Sequence, residues 1–346
     1  IFYLTHHSDN TILIHGFNSG GGFTLNLQTT RTFEDTSKWY HLVCAVDTTQ
    51  STSTDRVKLY IDGSQITAFS STTYPGSSDN FGTNQSGVPQ LFGRYNYDGT
   101  RYHDGYIAEA NMVDGTALTP STFGVVDTST GRWIPKTLTG ITYGTNGFRL
   151  KFQDSSALGD DTGGGGNDFT ATNLTATDQR TDSPSNNFPT IRPYNPSYSQ
   201  TFSEGNLQHA TGGTNVGYPV VSTLRPKESG KFYAECRISA TPGGNTIAVG
   251  CYQQEDLHNY SSGNAYPGNA NYGSGLWISS SPYVRWNGQT SYANYTPFTF
   301  SAGDVIGLAL DLDTGLLSFY DDDNGLIGSV TYDRTKSACF GAMSNT

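Results

Sequence analysis

The sequence predicts an all-β chain: two tandem antiparallel β-sandwiches joined by a proline-rich linker. Composition is the first observation behind this. Of 346 residues, 34% are hydrophobic and only 14% charged; the balance falls on Gly, Ser, Thr, Asn and Tyr, as many short strands joined by polar turns require. The second is an alternating pattern. Ile306, Leu308, Leu310 and Leu312 interleave with Val305, Gly307, Ala309 and Asp311, the period of two that turns one face of a strand into a core. The third is a break in that periodicity, where Pro184, Pro189, Pro193 and Pro196 fall within 13 residues; proline removes donors and favours extended linker geometry. The domains are therefore placed at 1–177 and 200–346, with the linker at 178–199.

In the first domain, residues 39–46 (WYHLVCAV) form a nearly continuous apolar strand, and residues 57–61 (VKLYI) alternate before Asp62-Gly63. Together they suggest a two-faced sheet packed in a sandwich. One helical turn is expected at residues 119–124, with Thr119 as N-cap, Pro120 at the first helical position and Gly124 ending it. Residues 148–152 (FRLKF) alternate again. Gly163–Gly166, flanked by Asp160, Asp161 and Asp168, reads as a mobile loop, with an acidic ion-binding loop as the alternative. In the second domain strands are expected at 231–238, 246–252, 275–279 and 283–286. A meander then follows: residues 305–312, a turn at Asp313-Thr314-Gly315, residues 316–320, a turn at Asp323-Asn324-Gly325, and residues 326–332. No internal repeat or coiled-coil heptad is present.

Residues 303–330 resemble the SPRY domain, a β-sandwich marked by a G-D-hydrophobic-hydrophobic-G strand, then D-x-D-x-G, then L-x-F-Y. Ser37, Trp39 and His41 with the V-x-L-Y-I-D-G run at 57–63 resemble the concanavalin A-like, laminin-G-type jelly roll. The G-Y-I-A-E-A segment at 105–110, followed by Leu118-Thr119-Pro120, occupies the place of that family's G-x-I-x-E strand. The two resemblances imply a jelly roll followed by a SPRY-like sandwich. They also imply that an opening strand precedes Ile1 and a closing strand follows Thr346, so the chain reads as a segment of a larger polypeptide.

A formal net charge of −11, from 30 acidic and 19 basic residues without a basic cluster, argues against a nucleic-acid partner. Cys44, Cys236, Cys251 and Cys339 have no C-x-x-C spacing and read as buried free thiols on strands. No apolar run approaches the ~18 residues of a membrane span, so no membrane insertion is expected. Some concanavalin A-like proteins cleave glucans with an E-x-D-x-x-E strand, which this sequence lacks; Glu109 and Asp114 are its nearest pair, and Asp114-Gly115 reads as a turn. G-x-S-x-G, H-E-x-x-H and G-x-x-x-x-G-K are also missing. His6 and His7 would point to opposite faces of a strand, and His41 reads as a hydrogen-bonded structural histidine. The chain is therefore expected not to be an enzyme.

Binding is better supported, because sugar sites combine aromatic faces with Asp, Asn or backbone groups that bond hydroxyls. One candidate loop carries Tyr95, Asn96, Tyr97, Asp98, Tyr102 and His103; a second carries Trp286, Asn287, Tyr292, Asn294 and Tyr295. Trp277 is expected in the core. No cofactor is expected, and calcium is the one ion left open by the acidic turns, although turn chemistry accounts for Asp311, Asp313 and Asp321–Asp323. Sequons stand at Asn84, Asn173, Asn259 and Asn294. The tandem order and the W-x-P…Y-G-x-N-G-F-x-L-x-F run at 133–152 resemble large structural proteins of marine bacteriophages. That resemblance implies a virion fibre, appendage or decoration protein, homo-oligomeric within a larger assembly, located on the virion surface or otherwise extracellular, and contacting other virion proteins or a host-surface glycan or protein. The alternatives are a secreted bacterial adhesin or carbohydrate-binding region of a polysaccharide-degrading enzyme, and, ranked last, an intracellular SPRY adaptor.

Overall fold

The computed structural model describes residues 2–345 apart from 18–21, 36–37, 82, 84–88, 96–100, 129–130, 194–199, 212–217, 224–225, 227–228, 240–245, 254–266, 269–272, 279–282, 287–288, 292–298 and 324. The chain divides into two units, Ile1–Asn187 and Phe188–Thr346.

Unit 1 is built from β1 (Phe2–His6), β2 (Thr11–Phe17), β3 (Phe23–Thr32), β4 (Leu42–Val46), β5 (Val57–Ile61), β6 (Ser64–Gln65), β7 (Phe69–Thr73), β8 (Ala110–Met112), β9 (Gly124–Val126), β10 (Trp133–Pro135) and β11 (Phe148–Leu150). A four-stranded antiparallel sheet in the order β1-β2-β3-β7 packs on a three-stranded sheet, β4-β5-β6. Ile12, Ile14, Leu25 and Leu27 from the first and Val57, Leu59 and Ile61 from the second form one core with Phe33 and Phe81. The alternation of residues 57–61 is thus realised as a sandwich strand, buried at Val57, Leu59 and Ile61. The expected helical turn is a 3-10 turn at Pro120–Thr122, with Thr119 at the N-cap position but no side-chain cap bond, and it has ended by Gly124, where β9 begins.

Three expected strands are shorter than their patterns. Residues 39–41 lie outside β4; there the Trp39 indole N–H donates to Asp182 Oδ2 at 3.0 Å, and the His41 N–H donates to Asp62 Oδ1 at 2.9 Å. Only Ala110 of residues 105–110 is in a strand, since Glu109 takes a φ of 46°, which breaks extended pairing. Residues 148–152 pair only through Leu150, and Phe152 turns away at a φ of 55°.

Unit 2 contains β12 (Ile191–Pro193), β13 (Gln200–Ser203), β14 (Gln208–Thr211), β15 (Tyr218–Ser222), β16 (Lys231–Arg237), β17 (Thr246–Gln253), β18 (Ser274–Ile278), β19 (Tyr283–Trp286), β20 (Gln289–Ser291), β21 (Val305–Asp311), β22 (Leu316–Asp321), β23 (Gly325–Thr331) and β24 (Ala338–Asn345). A seven-stranded sheet in the order β12-β15-β24-β17-β18-β19-β20 faces a four-stranded sheet, β16-β21-β22-β23. Val249, Cys251, Leu276, Ile278 and Phe340 from the first meet Ile306, Leu308, Leu310, Leu317 and Phe319 from the second in one core. The expected meander is present as β21–β23, antiparallel throughout. Within residues 178–199, β12 pairs with β15, so part of the proline-rich stretch belongs to the larger sheet.

Aspartates close the turns of the meander. Asp311 Oδ1 accepts the N–H groups of Asp313 (2.9 Å) and Thr314 (3.1 Å), and Asp321, itself buried, accepts from Asp323 at 3.3 Å. These bonds fix the reversal by the usual Asx-turn chemistry. All four cysteines are free and stand on strands, Cys251 and Cys339 buried as expected and Cys44 and Cys236 only partly so. Burial pushes the Cys44 thiol up to about 12 and the Cys236 thiol up to about 11, so neither is a ready nucleophile. Among the described residues, no helix is long and apolar enough to cross a membrane.

Candidate functional site

Several residues with catalytic chemistry in unit 1 are engaged in holding its loops. His41 stacks on Trp133, with ring centroids 5.8 Å apart, and its Nδ1 accepts the Trp133 indole N–H at 3.0 Å. That bond puts the proton of the neutral ring on Nε2. Burial holds the His41 pKa below its ordinary value, against the opposing pull of Asp62 and Glu109. His41 is therefore the structural histidine that its sequence context suggests. Glu109 receives the Arg149 guanidinium at 2.7 Å, while Asp114 Oδ2 accepts both the backbone and side-chain N–H of Asn146 (3.2 and 3.1 Å). His6 bonds the Phe33 carbonyl and His7 contacts Asp9, so the adjacent pair has separate partners.

The four-glycine loop is held rather than free. Asp161 Oδ1 accepts the N–H groups of Arg149 (2.8 Å) and Gly163 (2.7 Å), Asp161 Oδ2 accepts that of Asn167 (3.0 Å), and the Asn167 amide reaches the carbonyls of Thr145 and Gly147. One carboxylate thus organises the loop from inside. Among the described residues, no group of three or more His, Cys, Asp or Glu is placed to hold a metal.

The first candidate loop is a hairpin whose described residues are Arg94, Tyr95 and Arg101–His103. Its ends are tied by backbone bonds from Tyr95 to Arg101 (2.9 Å) and from His103 to Gly93 (2.8 Å). Tyr95 packs on Tyr3 of β1 with centroids 4.8 Å apart, under the Arg101 guanidinium at 5.4 Å. His103 is exposed at the hairpin's edge, and partial desolvation of its ring, with His6 nearby, holds its pKa below the ordinary value. Tyr102 is 60% exposed beside Arg94. Asn96, Tyr97 and Asp98 lie outside the described residues.

From Tyr95 a path of ring contacts continues across unit 1. Tyr3 meets Phe17 at 6.3 Å, Phe17 meets Phe23 at 4.6 Å, and His15 meets Phe23 at 4.8 Å. Tyr3, His15 and Phe17 alternate with the core-facing Phe2, Ile14 and Gly16, and a register shift between Gly16 and Phe17 sets Phe23 opposite Phe17 and out of phase with the buried Leu25 and Leu27, so the four rings stand on the face of the β1-β2-β3-β7 sheet turned away from the core. Phe23 is 51% exposed. Sequence reading missed this strip, because its members come from three strands. The one signal was Phe17 and Phe23 at odd positions flanking apolar runs.

In the second candidate loop, Trp286 is the last residue of β19, and Asn287, Tyr292, Asn294 and Tyr295 lie outside the described residues. Trp277 is buried as expected, stacked on Tyr283 at 5.5 Å, with its indole N–H on the Pro267 carbonyl at 3.2 Å. Unit 2 instead presents a feature that sequence reading missed: a shallow groove of about 470 Å³ on the outer face of its four-stranded sheet, lined by Tyr233, Glu235, Gly307, Ala309, Tyr320 and Asp322 among others.

Residues 1–122 match the family model of the concanavalin A-like lectin/glucanases superfamily, Laminin_G_3, in agreement with the two-sheet core of unit 1. No curated protein matches the chain. Similar solved structures include the TRIM65 PSpry domain (18% identity, TM-score 0.34, 46% of this chain and 84% of that one). Others are the SPRY domain of human HERC1 (16%, 0.30, 38% and 77%) and stonustoxin (19%, 0.30, 45% and 25%). TM-scores of this size do not establish a shared fold; the architecture of unit 2 stands on its own strand order and core.

Proposed function

We propose that this chain is a non-enzymatic recognition protein whose jelly-roll unit binds a glycan through the aromatic strip on its outer sheet face. The observation that carries the reading is the continuity of Tyr95, Tyr3, Phe17 and Phe23, with Phe23 half exposed. Aromatic faces take the apolar face of a pyranose, and His15 and the hairpin supply polar partners beside them. Because the strip rests on paired strands, little ordering cost accompanies binding. The engagement of Glu109, Asp114 and His41 in structural bonds supports a binding role over hydrolysis. On the resemblance of its tandem order, we place the chain as a SPRY-containing fibre, appendage or decoration subunit of a bacteriophage, extracellular and multicopy, where weak single sites gain from avidity.

A glycan array probed with the intact chain tests the binding reading. Binding that falls about 10-fold or more in Phe23→Ala and in Tyr102→Ala, at unchanged thermal midpoint, is expected from the loss of stacking contacts. Absence of binding across a broad array would sink it. Electron microscopy of the particle tests the virion placement, since symmetric copies on a capsid or tail are required.

A further inference from the structure

We propose that the groove on the outer face of the β16-β21-β22-β23 sheet receives an arginine side chain from a protein partner. The sheet register builds it. β21 turns Ile306, Leu308 and Leu310 into the core and leaves Gly307 and Ala309 on the outer face. Tyr233 of β16 stands opposite Ala309, and Gly307 lies between Glu235 of β16 and Tyr320 of β22. Small residues on the central strand thus form a floor between two tyrosines. The space over Gly307 is used: a Cβ there would lie 2.6 Å from the Tyr233 hydroxyl oxygen and 3.2 Å from its ring. Tyr233 leans across the glycine yet stays 57% exposed, and Tyr320 is 38% exposed.

Charge selects the ligand. Among the described residues the groove is lined by the acidic Glu235, Asp321 and Asp322 and by no lysine or arginine; Glu235 and Asp322 are its acidic side chains, and Arg237, the next outward residue of β16, stands at its rim opposite Val305. Asp321 is buried and closes its own turn, while Asp322 Oδ1 accepts the Val305 N–H at 3.3 Å. Glu235 is the carboxylate most available: its Oε1 accepts the Tyr233 hydroxyl at 3.0 Å, which fixes both side chains, and Oε2 has no bond to a described residue. Burial, the Glu235 carboxylate and the neighbouring Tyr320 phenol together push the Tyr233 hydroxyl above its ordinary pKa, as expected for a negative, partly dry wall. Outside the groove on the same face of β16, Lys231 is paired with Asp311 at 3.5 Å.

A cation answers this wall, and a neutral ligand would desolvate the carboxylates without compensation. Between ammonium and guanidinium the geometry favours the second. A planar guanidinium stacks on tyrosine faces and offers parallel N–H groups to a carboxylate, whereas an ammonium is a strongly hydrated point charge. This inference concerns unit 2 alone and does not depend on glycan binding by unit 1.

The test is a titration of the isotopically labelled intact chain with the blocked peptide acetyl-Gly-Arg-Gly-amide, read at the backbone amides of Gly307 and Ala309. The isosteric citrulline peptide, which lacks the charge, serves as control. Saturable shifts with the arginine probe are expected, about 10-fold weaker with citrulline or in Glu235→Gln, and weaker again at high salt. Tyr320→Ala, an exposed change, should weaken binding without moving the thermal midpoint. Equal response to citrulline, an unchanged response in Glu235→Gln, or shifts produced by a methyl glucoside but not by arginine would each overturn the proposal.

Discussion

Trp133 shows how one residue organises its surroundings. Its ring covers Gly63 and Gly124 so closely that a Cβ on either would lie 2.5 Å from it, and its indole N–H fixes the tautomer of His41. Gly63 also sits at a φ of 80°, which favours a residue without a side chain. Gly63→Ala should therefore cost about 2–4 kcal/mol, combining overpacking with left-handed strain. Urea unfolding measures it, and a loss below about 0.5 kcal/mol would contradict the packing described. The D-G pair was legible in the sequence as a turn. The tryptophan above it was not, since 70 residues separate Gly63 from Trp133.

Among the elements, the loop that joins β11 to the end of unit 1 depends on Asp161. Burial acts to raise the pKa of its carboxyl, and the N–H groups of Arg149, Gly163, Asn167 and Gly165 outweigh that effect, so the net shift is downward. Replacing Asp161 with Ala should cost about 2 kcal/mol, in the range of hydrogen bonds to a charged group. Asp161→Asn, which keeps one oxygen acceptor, should cost less. Because the folded-state pKa is depressed, the wild-type contribution is complete above the ordinary carboxylate value of about 3.9 and is lost as pH falls below it. Equal stability of Asp161→Ala and wild type in urea at pH 7 would rule out this role. A run of glycines reads as freedom when only neighbours are considered. Here a carboxylate inside the loop supplies the acceptors.

For the whole molecule, acid should weaken the fold well before its carboxylates titrate. His209, in β14, packs against Phe202 with centroids 5.3 Å apart, and burial lowers its pKa to about 4. Burial likewise lowers the values of His15 and His41. The unfolded chain binds protons at these sites first, so stability is full above about pH 6.5 and declines as pH falls, for His209 down to about 4. Thermal midpoints measured between pH 7.5 and 4.5 should fall along this course, and His209→Gln should flatten it. An unchanged slope in that variant would remove His209 as a contributor. Near the sequence isoelectric point of about 4.9 the net charge of −11 at neutral pH has been cancelled, and solubility should be lowest there.

The all-β class, the meander of unit 2, the strand at 57–61 and the structural roles of Trp277 and His41 were legible in the residue order alone. Each depends on short-range information: a period of two, a turn residue with its side-chain acceptor, or a polar group inside an apolar run. Strand ends at Glu109 and Phe152 escaped it, because their positive φ values leave no mark on the hydrophobic pattern. Which exposed aromatics converge became visible with the folded chain. Tyr3, Phe17, Phe23 and Tyr95 become one strip, and Tyr233, Gly307 and Tyr320 one groove, through strand order and register. Those are set by long-range pairing, in which a slip of one residue would turn every side chain to the opposite face.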